Sequence, residues 1–178
     1  MEVRIRQAES VGAQPALLWD SVWDAANGYS DWAIAPITTA RNPAGLIATE
    51  NLHTAIIICL FTWVRADAGD TLPDSQSTEA YGWWGDGVDL DTNEVPMGSK
   101  LWMLYRSPLN AKVAAKAVDY AKAALKTLLA QGAVARFDIT SDFDIPSGRL
   151  ALLIKAYSQA GTLVYNQKFD RIWRNELR

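Results

Sequence analysis

The clearest pattern of apolar and polar positions lies between Pro108 and Gly132. Apolar residues recur there at spacings of three and four, which is typical of a helix with one buried face. This face consists of Ala114, Ala117, Val118, Ala121, Leu125, Leu128 and Leu129. A proline suits the first position of a helix, and a glycine suits the position after its last turn. We therefore predict a long helix that begins after Ser107 and ends at Gly132.

The opposite face of this helix carries a row of charged residues. The row consists of Lys112, Lys116, Asp119, Lys122 and Lys126. Charged side chains on the side away from an apolar stripe predict a solvated face. The same row is suited to contact with an acidic neighbour in an assembly.

A shorter helix is predicted from Thr49, as its N-cap, to about Trp63. The residues from Ala55 to Phe61 are apolar on nearly every side, so we expect this helix to lie at the centre of the fold. It contains the single histidine, His53, which we expect to be partly buried, and the single cysteine, Cys59, which we expect to be a small core residue. One histidine without a cysteine cluster offers no set of metal ligands.

The last third of the chain alternates between apolar and polar residues, which indicates β-strands. Strands are expected from Ala133 to Phe143, from Arg149 to Tyr157 and from Leu163 to about Trp173, joined by tight turns. Three such strands form a meander, whose edges are natural places for another chain to add a strand. Nearer the amino end, Asn27-Gly28 predicts a hairpin between strands from Leu17 to Asp24 and from Tyr29 to Ile34.

A long connection without a periodic pattern runs from Val64 to Pro96. Connections of this length in a compact domain are usually functional or mobile. Within it, Trp83 and Trp84 stand between two glycines, which suggests a sharply bent backbone that aims both indoles. Either the indoles pack beneath the loop or they contact a partner. The run from Lys100 to Arg106 that follows fits a short helix as well as a strand.

Composition and charge narrow the class of protein. With 178 residues, 49% of them hydrophobic, and eight tryptophans, the chain is expected to fold as one globular domain, with or without decorated ends. Its net charge of -3 gives no electrostatic case for nucleic acid as the main partner. The residues from Met1 to Arg6 are unlike a signal peptide, and no apolar run has the length of a membrane span. A soluble cytosolic product is therefore expected.

Candidate chemistry is sparse. The sequence contains no G-x-S-x-G motif for a nucleophilic hydrolase and no G-x-x-x-x-G-K-[ST] motif for binding phosphates. The acidic stretch from Asp86 departs from a calcium loop, because Glu94 stands where that loop needs glycine and Lys100 where it needs glutamate. No cofactor or metal is therefore predicted. A glycosidase needs only two carboxylates across a cleft, and Glu50, Glu79, Asp86 and Glu94 leave that alternative open.

Several motifs in the central part of the chain occur together in one known family. They are Ala55-Ile56-Ile57-Ile58-Cys59-Leu60-Phe61-Thr62, Arg65-Ala66-Asp67, Leu72-Pro73-Asp74, Gly82-Trp83-Trp84-Gly85-Asp86, Gly98-Ser99-Lys100-Leu101-Trp102 and the helix end Gly132-Ala133-Val134-Ala135-Arg136. With these motifs, the chain resembles the Mu-like phage baseplate proteins of the gene-46-product family from about Leu46 to Trp173. That family is related to the small lysozyme-like wedge proteins of contractile tails.

The resemblance implies an α+β fold, in which helices pack on a small mixed sheet that includes the C-terminal antiparallel meander. Residues 46–178 then form a wedge-like domain, and residues 1–45 form an N-terminal β-hairpin extension. It also implies a structural baseplate component and not an enzyme. Such a component is repeated around the tail tube, contacts other wedge proteins, the tube or hub and the sheath, and helps to start sheath assembly.

The implied location is the virion tail, after assembly in the host bacterial cytoplasm, and neither nucleic acid nor a membrane is an expected partner. The alternative function is a peptidoglycan-cleaving glycosidase that acts through a pair of carboxylates. The candidate interaction residues are Arg65, Trp83, Trp84, Asp86, Arg136 and Trp173. The wider wedge family has Glu-Pro-Arg after the long helix, whereas this chain has Ala133-Val134-Ala135-Arg136, so Arg136 alone carries over from that motif. The residues from Phe169 to Arg174 are expected on or beside a sheet edge that is used in assembly.

Overall fold

The computed structural model describes residues 51–74, 79–88 and 95–170, the turn at 37–38 and three short strands nearer the amino end. Thr49 and Trp173 lie outside the described residues. In chain order, the elements are β1 (Arg4–Gln7), β2 (Ser21–Asp24), β3 (Tyr29–Trp32), α1 (Asn51–Phe61), a 3-10 helix (Leu101–Leu104), α2 (Ala111–Ala130), β4 (Arg136–Asp144), β5 (Arg149–Tyr157) and β6 (Leu163–Asp170). The expected α+β class is confirmed.

Strands β4, β5 and β6 form the expected meander. β4 pairs with β5 along its whole length, from Arg136 opposite Tyr157 to Asp144 opposite Arg149, and β5 pairs with β6 on its other side. Every described strand pair of the sheet is antiparallel, so the expectation of a mixed sheet is corrected. For β4, β5 and β6 the reason is the tight turns between consecutive strands, because a parallel pair needs a long crossover connection.

A fourth strand, which is not among the predicted elements, forms one edge of the sheet. β1 pairs antiparallel with β6, with Arg4 opposite Asp170. The strand order is β1-β6-β5-β4, so β6 lies beside the edge strand β1, and β4 forms the other edge. The hairpin predicted at Asn27-Gly28 is confirmed, since β2 and β3 on either side of these residues pair antiparallel in a separate two-stranded sheet.

Helix α2 packs against the sheet through the predicted apolar stripe. Its buried residues are Ala114, Ala117, Ala121, Leu125 and Leu128. The stripe is narrower than predicted, because Leu129 is 37% exposed. The helix begins later than Pro108 indicates, because the Asn110 side chain accepts a hydrogen bond from the Val113 N–H group at 3.0 Å and caps the first turn. It ends as predicted before Gly132, and the charged row on its opposite face is exposed.

Helix α1 lies in the same core, as its apolar sequence predicts. Ile56 and Leu60 are buried together with the inner residues of α2, β5 and β6. His53 is partly buried, as expected, with Nδ1 2.7 Å from the Tyr165 hydroxyl oxygen. Cys59 packs against the core, also as expected, and burial raises the pKa of its thiol to about 11. Among the described residues, no helix combines the length and apolar content that crossing a bilayer requires.

Candidate interaction site at the tryptophan loop

The long loop between α1 and α2, residues 62–110, is called the tryptophan loop below. It is held at its base by backbone hydrogen bonds between segments that are distant in sequence. Where α1 ends, the Thr62 carbonyl accepts from the Ser99 N–H group at 2.9 Å, and the Ser99 carbonyl accepts from Val64 at 3.2 Å. On the next residues, the Ala66 N–H group donates to the Ala80 carbonyl at 2.9 Å. The segment after α1 therefore contacts both later parts of the loop and fixes where they lie.

A glycine makes the first of these contacts possible. Gly98 has a φ of 114°, and a Cβ atom at this position would lie 2.3 Å from the Thr62 carbonyl oxygen. Because the obstacle is backbone, it cannot rotate away as a side chain would. The adjacent Ser99 hydroxyl donates to the Leu60 carbonyl at 2.5 Å, which ties the same point to the last turn of α1.

Three aromatic rings fill the base of the loop. Trp63 stacks on Trp102 with 5.6 Å between ring centroids, and Tyr81 meets both rings edge-on at 5.1 and 5.0 Å. Trp102 is buried within the 3-10 helix, and its indole N–H group donates to the Val64 carbonyl at 3.0 Å. Trp63 and Tyr81 are 47% and 43% exposed, so this aromatic base joins the core to the surface.

The tip of the loop is a tight turn that carries Trp83 and Trp84. The Asp86 N–H group donates to the Trp83 carbonyl at 3.0 Å, and the Asp86 carboxylate accepts from the Met97 N–H group at 2.9 Å. The Trp83 ring lies over Gly85, where a Cβ atom would be 2.2 Å from the ring. Trp83 is 37% exposed, whereas Trp84 is 84% exposed. The turn is thus fixed by Asp86, while Trp84 projects from it.

Ion pairs fasten the outside of the loop. The Lys100 ammonium contacts the carboxylates of Asp67 and Asp70, and Arg106 lies 3.4 Å from Asp74. The hydrogen bond from Lys100, followed by the one from the Asp67 N–H group, lowers the pKa of Asp70. The hydrogen bonds to Asp67 and then Asp70 raise the pKa of Lys100. These contacts stabilise the folded loop, although pairs this close to solvent contribute little each.

The structure brings together four of the six candidate interaction residues. Trp83, Trp84 and Asp86 share the turn, and Arg65 lies beside it, because a Cβ atom at Gly82 would be 3.2 Å from the Arg65 Cβ. Arg136 lies elsewhere, at the start of β4, where it pairs with Asp138 at 3.2 Å and covers the Tyr157 ring at 4.2 Å. Trp173 is outside the described residues, so its role stays a prediction.

Sequence reasoning missed the residues that hold the base of the loop, above all Lys100 and Trp102. A signal for the ion pairs was present, since Asp67, Asp70 and Asp74 recur at spacings of three and four while the next basic residues are Lys100 and Arg106. For the carboxylates considered in a glycosidase, Glu50 and Glu94 lie outside the described residues. Asp86 is engaged with the loop backbone.

Comparison with known proteins bears directly on this loop. The family described as phage protein GP46 matches residues 52–163, which is more than half of the chain. The chain belongs to the GP46 family. It is also similar to a protein named baseplate protein gp46 of Escherichia phage Mu, with 32% identity over 125 residues, covering 70% of this chain and 82% of that protein. No solved structure gives a significant match.

The part that matches the GP46 family runs from α1 to the first residue of β6. It therefore includes the whole tryptophan loop, α2, β4 and β5, while β1, β2, β3 and the residues after 163 lie outside it. The loop belongs to the shared domain of the GP46 family, and the strand that closes the sheet edge is outside that match.

Proposed function

We propose that this GP46-family protein is a structural component of the baseplate of a contractile phage tail or tail-like particle. In this role it contacts wedge neighbours through the tryptophan loop and helps to start sheath assembly. Family membership and the printed name of the Mu relative support the baseplate role. The observation that carries the contact is Trp84, which is 84% exposed on a turn whose backbone is fixed.

A rigid, exposed tryptophan is suited to binding a protein. Burying an indole in an interface removes a large apolar area from water, and tryptophan is enriched among residues that dominate binding energies. Because Asp86 and the aromatic base already hold the turn, little conformational freedom remains to be lost when a partner binds. The loop thus has the two properties of an anchor, namely apolar area and a preset direction.

The partners in this proposal are other wedge proteins, the tail tube or hub, and the sheath. The protein joins them in the virion tail, after synthesis in the host cytoplasm, and is repeated around the tube. Since the exposed aromatics Trp63 and Tyr81 continue from the base of the loop toward solvent, the contact surface is larger than one side chain. Arg65, which is exposed, supplies a positive charge beside this surface.

The direct experiment replaces Trp84 and follows the protein into particles. Tails assembled with Trp84→Ala in place of the native chain should contain little of the variant, and sheathed tails should be scarce in electron micrographs. The purified variant should keep the circular dichroism spectrum and urea midpoint of the native protein, because an exposed side chain contributes little to folding.

Ile145→Ala provides a matched control, because Ile145 is an exposed apolar residue, 60% accessible, in the turn between β4 and β5. This control should enter particles normally. Normal numbers of sheathed tails with Trp84→Ala would show that Trp84 does not belong to the interface. A Trp84→Ala protein that unfolds would instead show that the indole serves the domain itself.

We also propose that the segment after β6 contributes to assembly, as expected from the sequence. β6 pairs with both β5 and β1, so a deletion after Tyr165 would remove residues that hold the sheet together. A deletion after Asp170 leaves these pairs intact and removes only the following residues, including Trp173. If chains that end at Asp170 still support sheathed tails, this segment has no role in assembly.

A further inference from the structure

One edge of the sheet is open for pairing. Among the described residues, no strand pairs with β4 on the side away from β5. β4 is nine residues long, contains neither proline nor glycine, and pairs with β5 without a bulge. Proteins usually protect an edge strand by making it short, by a proline or a bulge, or by charged side chains, because its free N–H and C=O groups bind other strands. Of these devices β4 has only the charges, and charges also select a partner.

A groove runs around this open edge. Phe137 and Ile139 face α2, because they lie opposite core residues of β5, and Asp138 and Thr140 alternate with them on the outer face. All four residues line one groove. Because the sheet separates its two faces, a groove that is lined from both faces passes around the strand edge. The backbone edge of β4 is therefore accessible from Phe137 to Thr140.

We propose that β4 of one copy of the chain pairs antiparallel with β4 of a second copy, which joins the two sheets into one. Ile139 lies on the two-fold axis opposite Ile139 of the other chain, and Arg136 of each chain lies opposite Asp142 of the other. Such a contact joins identical surfaces and therefore closes as a dimer. It uses no residue of the tryptophan turn, so it is a second interaction surface beside the one in the proposed function.

Charge complementarity selects this register. Arg136, Asp138, Thr140 and Asp142 are exposed on the outer face. With Ile139 on the axis, two pairs of opposite charge form, and Asp138 meets the neutral Thr140. A shift of two residues, the smallest that keeps both helices on one side of the sheet, places Asp138 opposite Asp142 in one direction and opposite Asp138 of the other chain in the other direction. Like charges directly opposite each other destabilise a strand pair, whereas opposite charges stabilise it.

The side of α2 next to this edge adds an apolar contact. Lys122 lines the groove, so its side of the helix faces the edge. Ala115, Val118 and Leu129 lie on the same side, at helical spacings from Lys122, and the domain leaves Ala115 and Leu129 exposed and Val118 half-buried. Because α2 packs over β4, joining two copies of β4 brings their helices side by side and covers this row. The Lys122 ammonium stays in water at the end of its long aliphatic chain.

The test is a charge swap in the full chain, followed by sedimentation velocity at concentrations up to about 1 mM, where a dimer with a Kd of that order is populated. Arg136→Asp places like charges opposite each other at both ends of the strand pair, and Asp142→Arg does the same. Each variant alone should dimerise about tenfold more weakly than the native chain. In an equimolar mixture, the pairs between the two variants again join opposite charges, so a mixed dimer should form with about the native affinity.

Arg106→Asp provides a matched control outside the sheet. The Arg106 side chain is 62% exposed and lies 3.4 Å from Asp74, while the Arg136 side chain is 61% exposed and lies 3.2 Å from Asp138. The control should dimerise like the native chain, and circular dichroism should show that every variant is folded. If a charge reversal disturbs folding, Arg136→Gln and Asp142→Asn remove the attraction without adding repulsion, and each should weaken the dimer several-fold.

Several results would overturn the inference. A native chain that stays monomeric up to about 1 mM is one of them. Equal weakening by Arg136→Asp and Arg106→Asp, or a mixture of the two β4 variants that stays monomeric, would show that copies of the chain do not meet through β4. Trp84→Ala should leave the dimer unchanged. Loss of the dimer in Trp84→Ala would assign the contact to the tryptophan turn, whereas exclusion of this variant from particles with an intact dimer supports both proposals.

Discussion

The base and the tip of the tryptophan loop differ in how they use aromatic residues. At the base, Trp102 is buried, hydrogen-bonded to Val64 and stacked on Trp63. At the tip, Trp84 is 84% exposed and its ring contacts Trp83 at a centroid distance of 5.3 Å. The base thus holds the loop on the domain, and the tip is available to a partner.

This difference shows that a shared motif does not give neighbouring aromatic residues the same role. Tyr81 packs edge-on against two indoles, while Trp83, two positions later, lies over Gly85 at the surface. The glycine between them, with a φ of 124°, turns the chain from one environment into the other. Substitutions at the base should therefore change stability, and substitutions at the tip should change assembly.

The largest effect is expected from Trp102→Ala. Removing a buried tryptophan leaves a cavity and an unpaired Val64 carbonyl, so the free energy of unfolding should fall by about 3–5 kcal/mol. Urea denaturation followed by circular dichroism measures this change. Trp63→Ala, at a ring that is 47% exposed, should cost clearly less. Equal losses of unfolding free energy in the two variants would mean that Trp102 contributes no more than Trp63 to the stability of the base.

A backbone effect of the next size is expected from Gly98→Ala. Its φ of 114° is strained for alanine, and the added Cβ would meet the Thr62 carbonyl oxygen, so unfolding should become easier by about 2–4 kcal/mol. Gly87→Ala is the matched control, because Gly87 also has a positive φ, of 87°, but open space around its Cβ position. The control should cost only the strain, about 1–2 kcal/mol. Similar losses of unfolding free energy in both variants would show that the contact with the Thr62 carbonyl oxygen adds nothing to the backbone strain.

The parts of the fold that follow from local pattern were predictable. Helix α2, the meander and the β2–β3 hairpin each have a periodic or turn signal within a few residues of sequence. The alternating residues from Met1 to Arg6 are consistent with a strand at β1, but they do not identify its partner, because β6, with which β1 pairs, lies far along the chain. The 3-10 helix was ambiguous because all four of its residues are buried, which erases both the helical and the strand period.

The candidate site divides in the same way. The turn at Trp83 and Trp84 was visible in the sequence, since paired tryptophans between glycines are unusual in a loop. The contacts that hold it were not, because Lys100 meets Asp70 and Trp102 meets Val64 across more than 25 residues of sequence. The packing of α1 against the 3-10 helix determines which of these distant residues meet. A single sequence does not encode that packing as a local pattern.

A smaller, pH-dependent effect is expected from Asp70→Asn. Lys100 lowers the pKa of Asp70 in the folded state, so the ion pair stabilises the protein above the unfolded pKa of about 3.9. Its contribution is lost as the pH falls from about 4 through the lowered pKa. At neutral pH the free energy of unfolding of the variant should be lower than that of the native protein by up to about 1 kcal/mol. This difference should disappear as the pH falls below 4.

Asp119→Asn on the exposed face of α2 is the control for this measurement, made by urea denaturation over a series of pH values. It should follow the native protein through the acid range. The difference in free energy of unfolding between Asp70→Asn and the native protein could instead persist unchanged in acid. That result would show that the carboxylate stabilises the loop by some means other than its charge.

The smallest effect on stability is expected from Trp84→Ala, and this variant tests the comparison most directly. Because Trp84 is 84% exposed, its free energy of unfolding should stay within about 0.5 kcal/mol of the native value. Trp83→Ala should cost more, since the Trp83 ring lies over Gly85 and is 37% exposed. Urea denaturation of both variants measures the difference. Equal losses above about 1 kcal/mol would mean that both indoles pack on their own domain, so that the tip resembles the base.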